Sequence, residues 1–273
     1  MELEDAVVVV TGGGSGIGAA LCRRFAEEGP RTIVVADLDG DASARIAEDV
    51  RTMATAGTTV VARTVDVADE SQVGALVAAT QMDHGTVDLF CANAGIGTGA
   101  GVEATDAQWE QIWHVNVMAH VYAARALLPA WLDRGHGYLL TTASAAGLLT
   151  NLGDAPYTAT KHAAVGLAEW LSITYGDRGV RVSCLCPQGV RTPLLFGGAG
   201  GPGDGALATE VVKAQRVLEP EEVADVVVAG LRSEEFLILP HEEVAGYEQA
   251  RAGDRERWLR SMRKLQARIT GGG

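Results

Sequence analysis

Ala6-Val7-Val8-Val9-Val10-Thr11-Gly12-Gly13-Gly14-Ser15-Gly16-Ile17-Gly18 is the stretch that decides the fold. Residues 6–11 form a continuous apolar run, the pattern of a strand covered on both faces. The glycines allow a tight turn, and a helical pattern starts at Gly16. Such a strand–turn–helix brings bare backbone amides and a helix N-terminus together, an arrangement suited to a pyrophosphate. Asp37 closes the next apolar run, about 20 residues farther on, where a carboxylate can hydrogen-bond an adenosine ribose. Gly12, Ser15, Gly16, Ile17, Gly18, Asp37 and Leu38 are therefore candidate dinucleotide-binding residues.

The same alternation continues outward. Residues 32–37, 60–65, 87–92, 138–142 and 180–185 read as further strands, and 236–239 as a last one. Helical patterns fill 16–28, 41–54, 70–83, 106–134, 155–177 and 220–232. This alternation predicts an α/β fold, a doubly wound parallel sheet of about seven strands with helices on both faces. Residues 1–240 are expected to form one domain. A glycine-rich segment, Phe196-Gly197-Gly198-Ala199-Gly200-Gly201-Pro202-Gly203-Asp204-Gly205-Ala206, belongs to an expected substrate loop over 190–215. Residues 241–273 form a charged helical tail, with Trp258, Met262, Leu265 and Ile269 on a narrow apolar face. That face can dock on its own subunit or a neighbouring one, or help cover a pocket.

The chain has 273 residues with 22 Lys plus Arg against 35 Asp plus Glu, a net charge of −13. That balance and the 5% aromatic content argue against nucleic-acid partners, which need clustered cations and stacking platforms. No apolar run approaches the roughly 20 residues of a membrane span. Met1-Glu2-Leu3-Glu4-Asp5 lacks the basic start of a signal peptide, so a cytoplasmic location is expected. Cys22, Cys91, Cys184 and Cys186 are scattered and read as buried thiols, not as a disulfide or zinc framework. His114 and His120 are six apart on one helix, so no metal site is expected. Trp109 and Trp113, four apart, suggest core or interface packing, and Asp154 suits a helix N-cap.

Tyr157 and Lys161 stand four apart, on one helical face. A phenol ionises at about pH 10, so acting as a base near neutrality needs roughly 4 kcal/mol of anion stabilisation. An ammonium on the same face supplies part of that, and a cationic nicotinamide more. Ser144, just past the fifth strand, can orient a substrate oxygen toward the phenol. The cofactor follows from charge. A ribose 2′-phosphate would oppose Asp37, and neither Gly13-Gly14-Ser15 nor Leu38 supplies a cation, while Arg23 and Arg24 lie farther along the helix. NAD is expected over NADP.

Taken in order, these motifs resemble the short-chain dehydrogenase/reductase family over about residues 5–240. The family's T-G-x-x-x-G-x-G corresponds to Thr11, Gly12, Gly16 and Gly18. Its acid-Val pair corresponds to Asp66-Val67, its N-N-A-G to Ala92-Asn93-Ala94-Gly95, its helix Asn to Asn116, and its Ser and Y-x-x-x-K to Ser144, Tyr157 and Lys161. The resemblance implies a Rossmann-type sheet and an oxidoreductase whose catalytic residues are Asn116, Ser144, Tyr157 and Lys161. Tyr157 would be the general acid/base. Lys161 would lower its pKa and bond the nicotinamide ribose, Ser144 would hold the substrate oxygen, and Asn116 would position a water in a proton relay. Asp66, Val67, Asn93, Ala94 and Gly95 would line the cofactor site, with Pro187, Gly189, Val190 and Thr192 near the nicotinamide.

The chain departs from the family pattern twice. Ala92 replaces the first Asn of N-N-A-G, and Gln188 replaces a glycine after the sixth strand, where it could face the substrate. Candidate substrate residues are Ser144, Ala146, Tyr157, Gln188 and Leu194. The loops 96–101, 145–154 and 194–206 are rich in Gly, Ala and Leu, which suggests an uncharged, moderately apolar alcohol or ketone. The resemblance also implies a homodimer or homotetramer. The reading reached is an NAD-dependent oxidoreductase interconverting a secondary alcohol and a ketone. A non-catalytic NAD-binding redox sensor, and epimerase or dehydratase chemistry on the same scaffold, are the rivals. Net NADH production from secondary alcohols would separate them.

Overall fold

Five buried residues in succession, Val7–Thr11, make β1 an inner strand, as their unbroken apolar character dictates. The computed structural model describes residues 1–196 and 216–270. Within them, one parallel sheet runs in the order β3-β2-β1-β4-β5-β6-β7. Its other strands are β2 (Thr32–Asp37), β3 (Thr59–Thr64), β4 (Leu89–Ala92), β5 (Gly137–Thr142), β6 (Val180–Leu185) and β7 (Leu237–Ile238). Val8 pairs with Ile33 on one side and Leu89 on the other. Strand order therefore reverses between β1 and β4, and the crevice beyond their carboxyl ends is where such sheets bind ligands.

Alternation along β1 sends side chains into two cores. Val8 and Val10 pack with Leu21, Phe25, Val223 and Val227, from α1 (Gly16–Ala26) and α9 (Pro220–Ser233). Val7 and Val9 pack on the opposite face with Val73, Leu127, Trp131 and Ala164. Those come from α3 (Glu70–His84), α5 (Ala119–Arg134) and α7 (Ala155–Tyr175). The remaining helices are α2 (Gly40–Met53), α4 (Asp106–Trp113), α6 (Ala145–Leu148), α8 (Pro193–Phe196), α10 (Glu243–Gly253) and α11 (Arg255–Thr270). All four cysteines are buried free thiols.

Two expectations need correction. The single helix expected over 106–134 is α4 and α5 joined by a π turn, His114–Met118, which holds the buried Asn116. The single tail helix is two, because the chain breaks at Asp254, whose carboxylate accepts from Arg257 N at 2.9 Å and starts α11. Of the α4 apolar residues, Ile112 fills the core, while Trp113 is exposed. Among the described residues no helix is long and apolar enough to cross a membrane.

Candidate active site

The turn after β1 is shaped for a close approach. Gly12 sits at φ +64, and a Cβ on Gly18 would lie 2.0 Å from the Gly12 carbonyl oxygen, so a side chain there cannot be accommodated. Ser15 precedes α1 with an exposed side chain that makes no capping bond, and the first turn of α1 carries no acidic residue. Asp37 braces the turn from β2. One carboxylate oxygen accepts from Gly14 N at 2.8 Å, and the other from Asp39 N at 3.0 Å. Bare amides, an uncommitted hydroxyl and the positive end of α1 fit a pyrophosphate, and Asp37 fits the ribose beside it. Arg23 pairs with Asp49, and Arg24 with Glu28 and Asp225, so neither cation serves the turn.

Beyond β4, Asn93 ties three strands together. Its backbone N and side-chain Nδ2 donate to Thr11 Oγ1 and Thr11 O, at 3.0 and 3.1 Å. Its Oδ1 accepts from Thr142 Oγ1 at 3.1 Å. Ala92, the departure from the family pattern, is buried in the core and leaves these bonds intact.

On the other side of the cleft, α7 carries Tyr157 and Lys161. Lys161 is 2% exposed, its Nζ donates to Thr142 O at 2.9 Å and lies 5.5 Å from the centre of the Tyr157 ring. Burial pushes the Lys161 ammonium down to about 8. Burial likewise pushes the Tyr157 phenol up to about 12, against a hydrogen bond from Ser144 that lowers it. In the protein alone desolvation outweighs the hydrogen bond that favours the anion. Ser144 Oγ also contacts Pro187 O at 3.3 Å, which holds the hydroxyl at the end of β5.

Asn116 lies behind these groups. Its Oδ1 accepts from Ile96 N at 2.9 Å, and its Nδ2 donates to Ile96 O at 2.9 Å and to Thr160 Oγ1 at 3.2 Å. It fastens the loop after β4 to α7. Asp154 does the same from the start of α7. It accepts from Tyr157 N at 2.9 Å as the N-cap, and from Thr98 N and Gly99 N at 2.8 and 2.7 Å.

Most of these groups border one cleft of about 1030 Å³. Gly12, Ser15, Gly16, Ile17, Asp37, Leu38, Asp66 and Val67 line one end. Asn93, Ala94, Gly95, Ser144, Ala146, Tyr157 and Lys161 line the middle, with Pro187, Gln188, Gly189, Val190, Thr192 and Leu194. Of the predicted site residues, Gly18 and Asn116 do not border it; both act from behind, on the turn and on the loop. The expected substrate loop is described as far as Phe196, and its residues 197–215 lie outside the described residues.

The sequence pattern of the family described as short chain dehydrogenase matches residues 6–196, which include every one of these turn, Ser, Tyr and Lys positions. The chain belongs to the short-chain dehydrogenase/reductase family. It is 40% identical over 210 residues to the 1-deoxy-11-beta-hydroxypentalenate dehydrogenase of Streptomyces exfoliatus, covering 74% of this chain and 75% of that one. It is 32% identical over 198 residues to 3beta-hydroxysteroid dehydrogenase 2 of Eggerthella lenta, covering 71% and 75%. Among solved structures, a short-chain dehydrogenase/reductase from Burkholderia phymatum in complex with NAD superposes with a TM-score of 0.84. The two are 31% identical, with 94% of this chain and 96% of that one covered.

Against this family frame, two features of the chain stand out. Gln188 N donates to Nδ1 of His241 at 3.2 Å, and His241 Nε2 in turn reaches Arg216 O at 3.2 Å. His241 is 2% exposed and burial pushes its pKa down, so the neutral ring anchors the turn that carries Gln188. The Gln188 Oε1 atom is buried without a hydrogen-bond partner. The second feature is the tail, since Tyr247, Trp258, Met262 and Leu265 also line the cleft. Its apolar spacing was visible in the sequence, but the surface it meets was not.

Proposed function

We propose that this protein is an NAD-dependent oxidoreductase that interconverts a secondary alcohol and a ketone, with Tyr157 as general acid/base. The observation that carries this reading is the placement of Tyr157, Ser144 and Lys161 along one cleft with the glycine turn and Asp37. A nicotinamide dinucleotide would be held by the turn, Asp37, Asp66, Val67, Asn93, Lys161 and the Pro187–Thr192 segment, and supplies the hydride acceptor or donor when bound. Asp37, and the commitment of Arg23 to Asp49 and of Arg24 to Glu28 and Asp225, support NAD over NADP.

In reduction, the Tyr157 phenol donates its proton to the carbonyl oxygen, and Ser144 Oγ donates a hydrogen bond that fixes that oxygen. In oxidation, Tyr157 must first lose its proton, and a phenol at about 12 resists this near neutrality. The Lys161 ammonium, 5.5 Å from the ring centre, favours the phenolate, and oxidation should quicken with rising pH until Lys161 discharges near 8. Asn116 and Asp154 are positioning residues that set the height of Tyr157 in the cleft. Gln188, Ala146 and Leu194 face the substrate.

The test is absorbance at the NADH band with a panel of secondary alcohols and ketones, for the wild type and Tyr157→Phe. The variant should bind NAD and lose about 100-fold or more in kcat. Near wild-type turnover by the variant would sink the assignment.

A further inference from the structure

The residues matched by the family end at 196, yet the wall of the cleft opposite them is built by the tail. α10 is anchored at Val244, which is fully buried, and at Arg251, which donates to His162 Nε2 at 3.2 Å. His162 follows Lys161 on α7, and its Nδ1 bonds Thr158 O at 2.9 Å, which leaves Nε2 as the acceptor. The Tyr247 and Trp258 rings lie 6.4 Å apart and join α10 to α11.

From that joint, α11 runs with two kinds of face. Trp258, Met262 and Leu265 are half-buried, at helical spacings of four and three. Arg257, Arg260, Arg263 and Lys264 stand exposed on the other faces. Trp258 packs against the core beneath and, with Met262 and Leu265, lines the cleft that Tyr157 also lines. The tail's apolar face is thus used within its own subunit. With a dinucleotide in the end lined by the glycine turn and Asp37, a small alcohol held by Ser144 and Tyr157 would still leave these apolar groups of the tail in water.

We propose that α11 is the specificity wall of this site. Trp258, Met262 and Leu265 receive the apolar body of a bulky alcohol or ketone, of fused-ring size, whose oxygen meets Tyr157. This inference rests on the reading of Tyr157 as the acid/base. It assigns substrate selection to a helix outside the segment that performs the chemistry.

The test uses the full-length protein with NAD, and cyclohexanol and a saturated 3β-hydroxysteroid as probes. Steroid binding is read by quenching of tryptophan fluorescence, and turnover by NADH absorbance. The wild type should favour the steroid at least tenfold in KM. Met262→Ala and Leu265→Ala should each weaken steroid binding about tenfold, with a much smaller loss for cyclohexanol. Leu265→Trp should block the steroid by filling the cleft, which separates a wall from a helix merely loosened by truncation. Lys264→Ala, on the outer face, should change neither probe. Equal losses for both probes, steroid binding indifferent to residues 262 and 265, or a wild type that favours cyclohexanol would each overturn the inference. Steroid binding that depends on α11, with no oxidation of either alcohol, would uphold the wall and sink the Tyr157 reading instead.

Discussion

Replacing Asp37 by Asn tests the cofactor assignment most directly, because it removes one charge and little volume. Asp37 ends β2, is half-buried, and lines the cleft with both carboxylate oxygens bound to backbone amides. A 2′-phosphate brings about 1.5 to 2 negative charges. A pair of unit charges about 4 Å apart repels by about 1 kcal/mol in water and about 4 kcal/mol at an effective dielectric of 20. A half-buried carboxylate falls between these limits, so about 2 kcal/mol, or roughly 30-fold, is the discrimination that charge alone provides. Asp37→Asn should therefore raise the ratio of kcat/KM for NADP over NAD by about 30-fold. The amide keeps a single acceptor oxygen, so either Gly14 N or Asp39 N then faces an NH2 group. That mismatch should cost about 1–3 kcal/mol and lower kcat/KM with NAD itself by about tenfold. Initial rates of NADH and NADPH formation at a fixed alcohol concentration give both numbers. A ratio within threefold of the wild type would show that Asp37 does not set the preference.

Two further outcomes follow from buried ionisable groups. Lys161 is held down to about 8 from 10.5, so below pH 8 the folded protein carries a poorly solvated ammonium, and this penalty fades only as pH rises toward 10.5. At pH 7 it amounts to about 3 kcal/mol, partly offset by the bond to Thr142 O. Lys161→Met should thus leave Tm unchanged or raise it while turnover falls about 100-fold; a clear drop in Tm would contradict the cause given for the shift. His120 is 1% exposed with neither ring nitrogen bonded, and burial, helped by the Lys161 charge, pushes it from 6.5 down to about 3. The unfolded chain therefore takes up a proton that the folded one refuses, and stability declines as pH falls from 6.5 toward 3, by up to about 5 kcal/mol. His120→Leu should flatten that decline in Tm measured from pH 7 to pH 4, and parallel curves for the two proteins would refute it.

Much of the machinery was legible because it is local. The turn after β1 is a run of glycines between a strand and a helix, and Tyr157 and Lys161 share a face through helical spacing alone. The N-cap at Asp154 could be read the same way, since capping depends on the next three residues. Its second task could not. The bonds from Asp154 to Thr98 and Gly99 cross from one loop to another, and no spacing encodes them. The π turn around Asn116 likewise depends on the amide finding Ile96 and Thr160 from other elements.

The sequence by itself determined the strands of the sheet, the glycine turn after β1, the acid after β2 and the helical face that Tyr157 and Lys161 share. Each of these is a short segment whose character is written in its own residues and those beside it in the chain. Only the tertiary structure decided the surroundings of Tyr157, since the burial that pushes its phenol up comes from atoms distant in the chain. It also decided the use of the tail. An amphipathic stripe states that a helix must cover something apolar, and the path of α10 past His162 determines that this is the cleft.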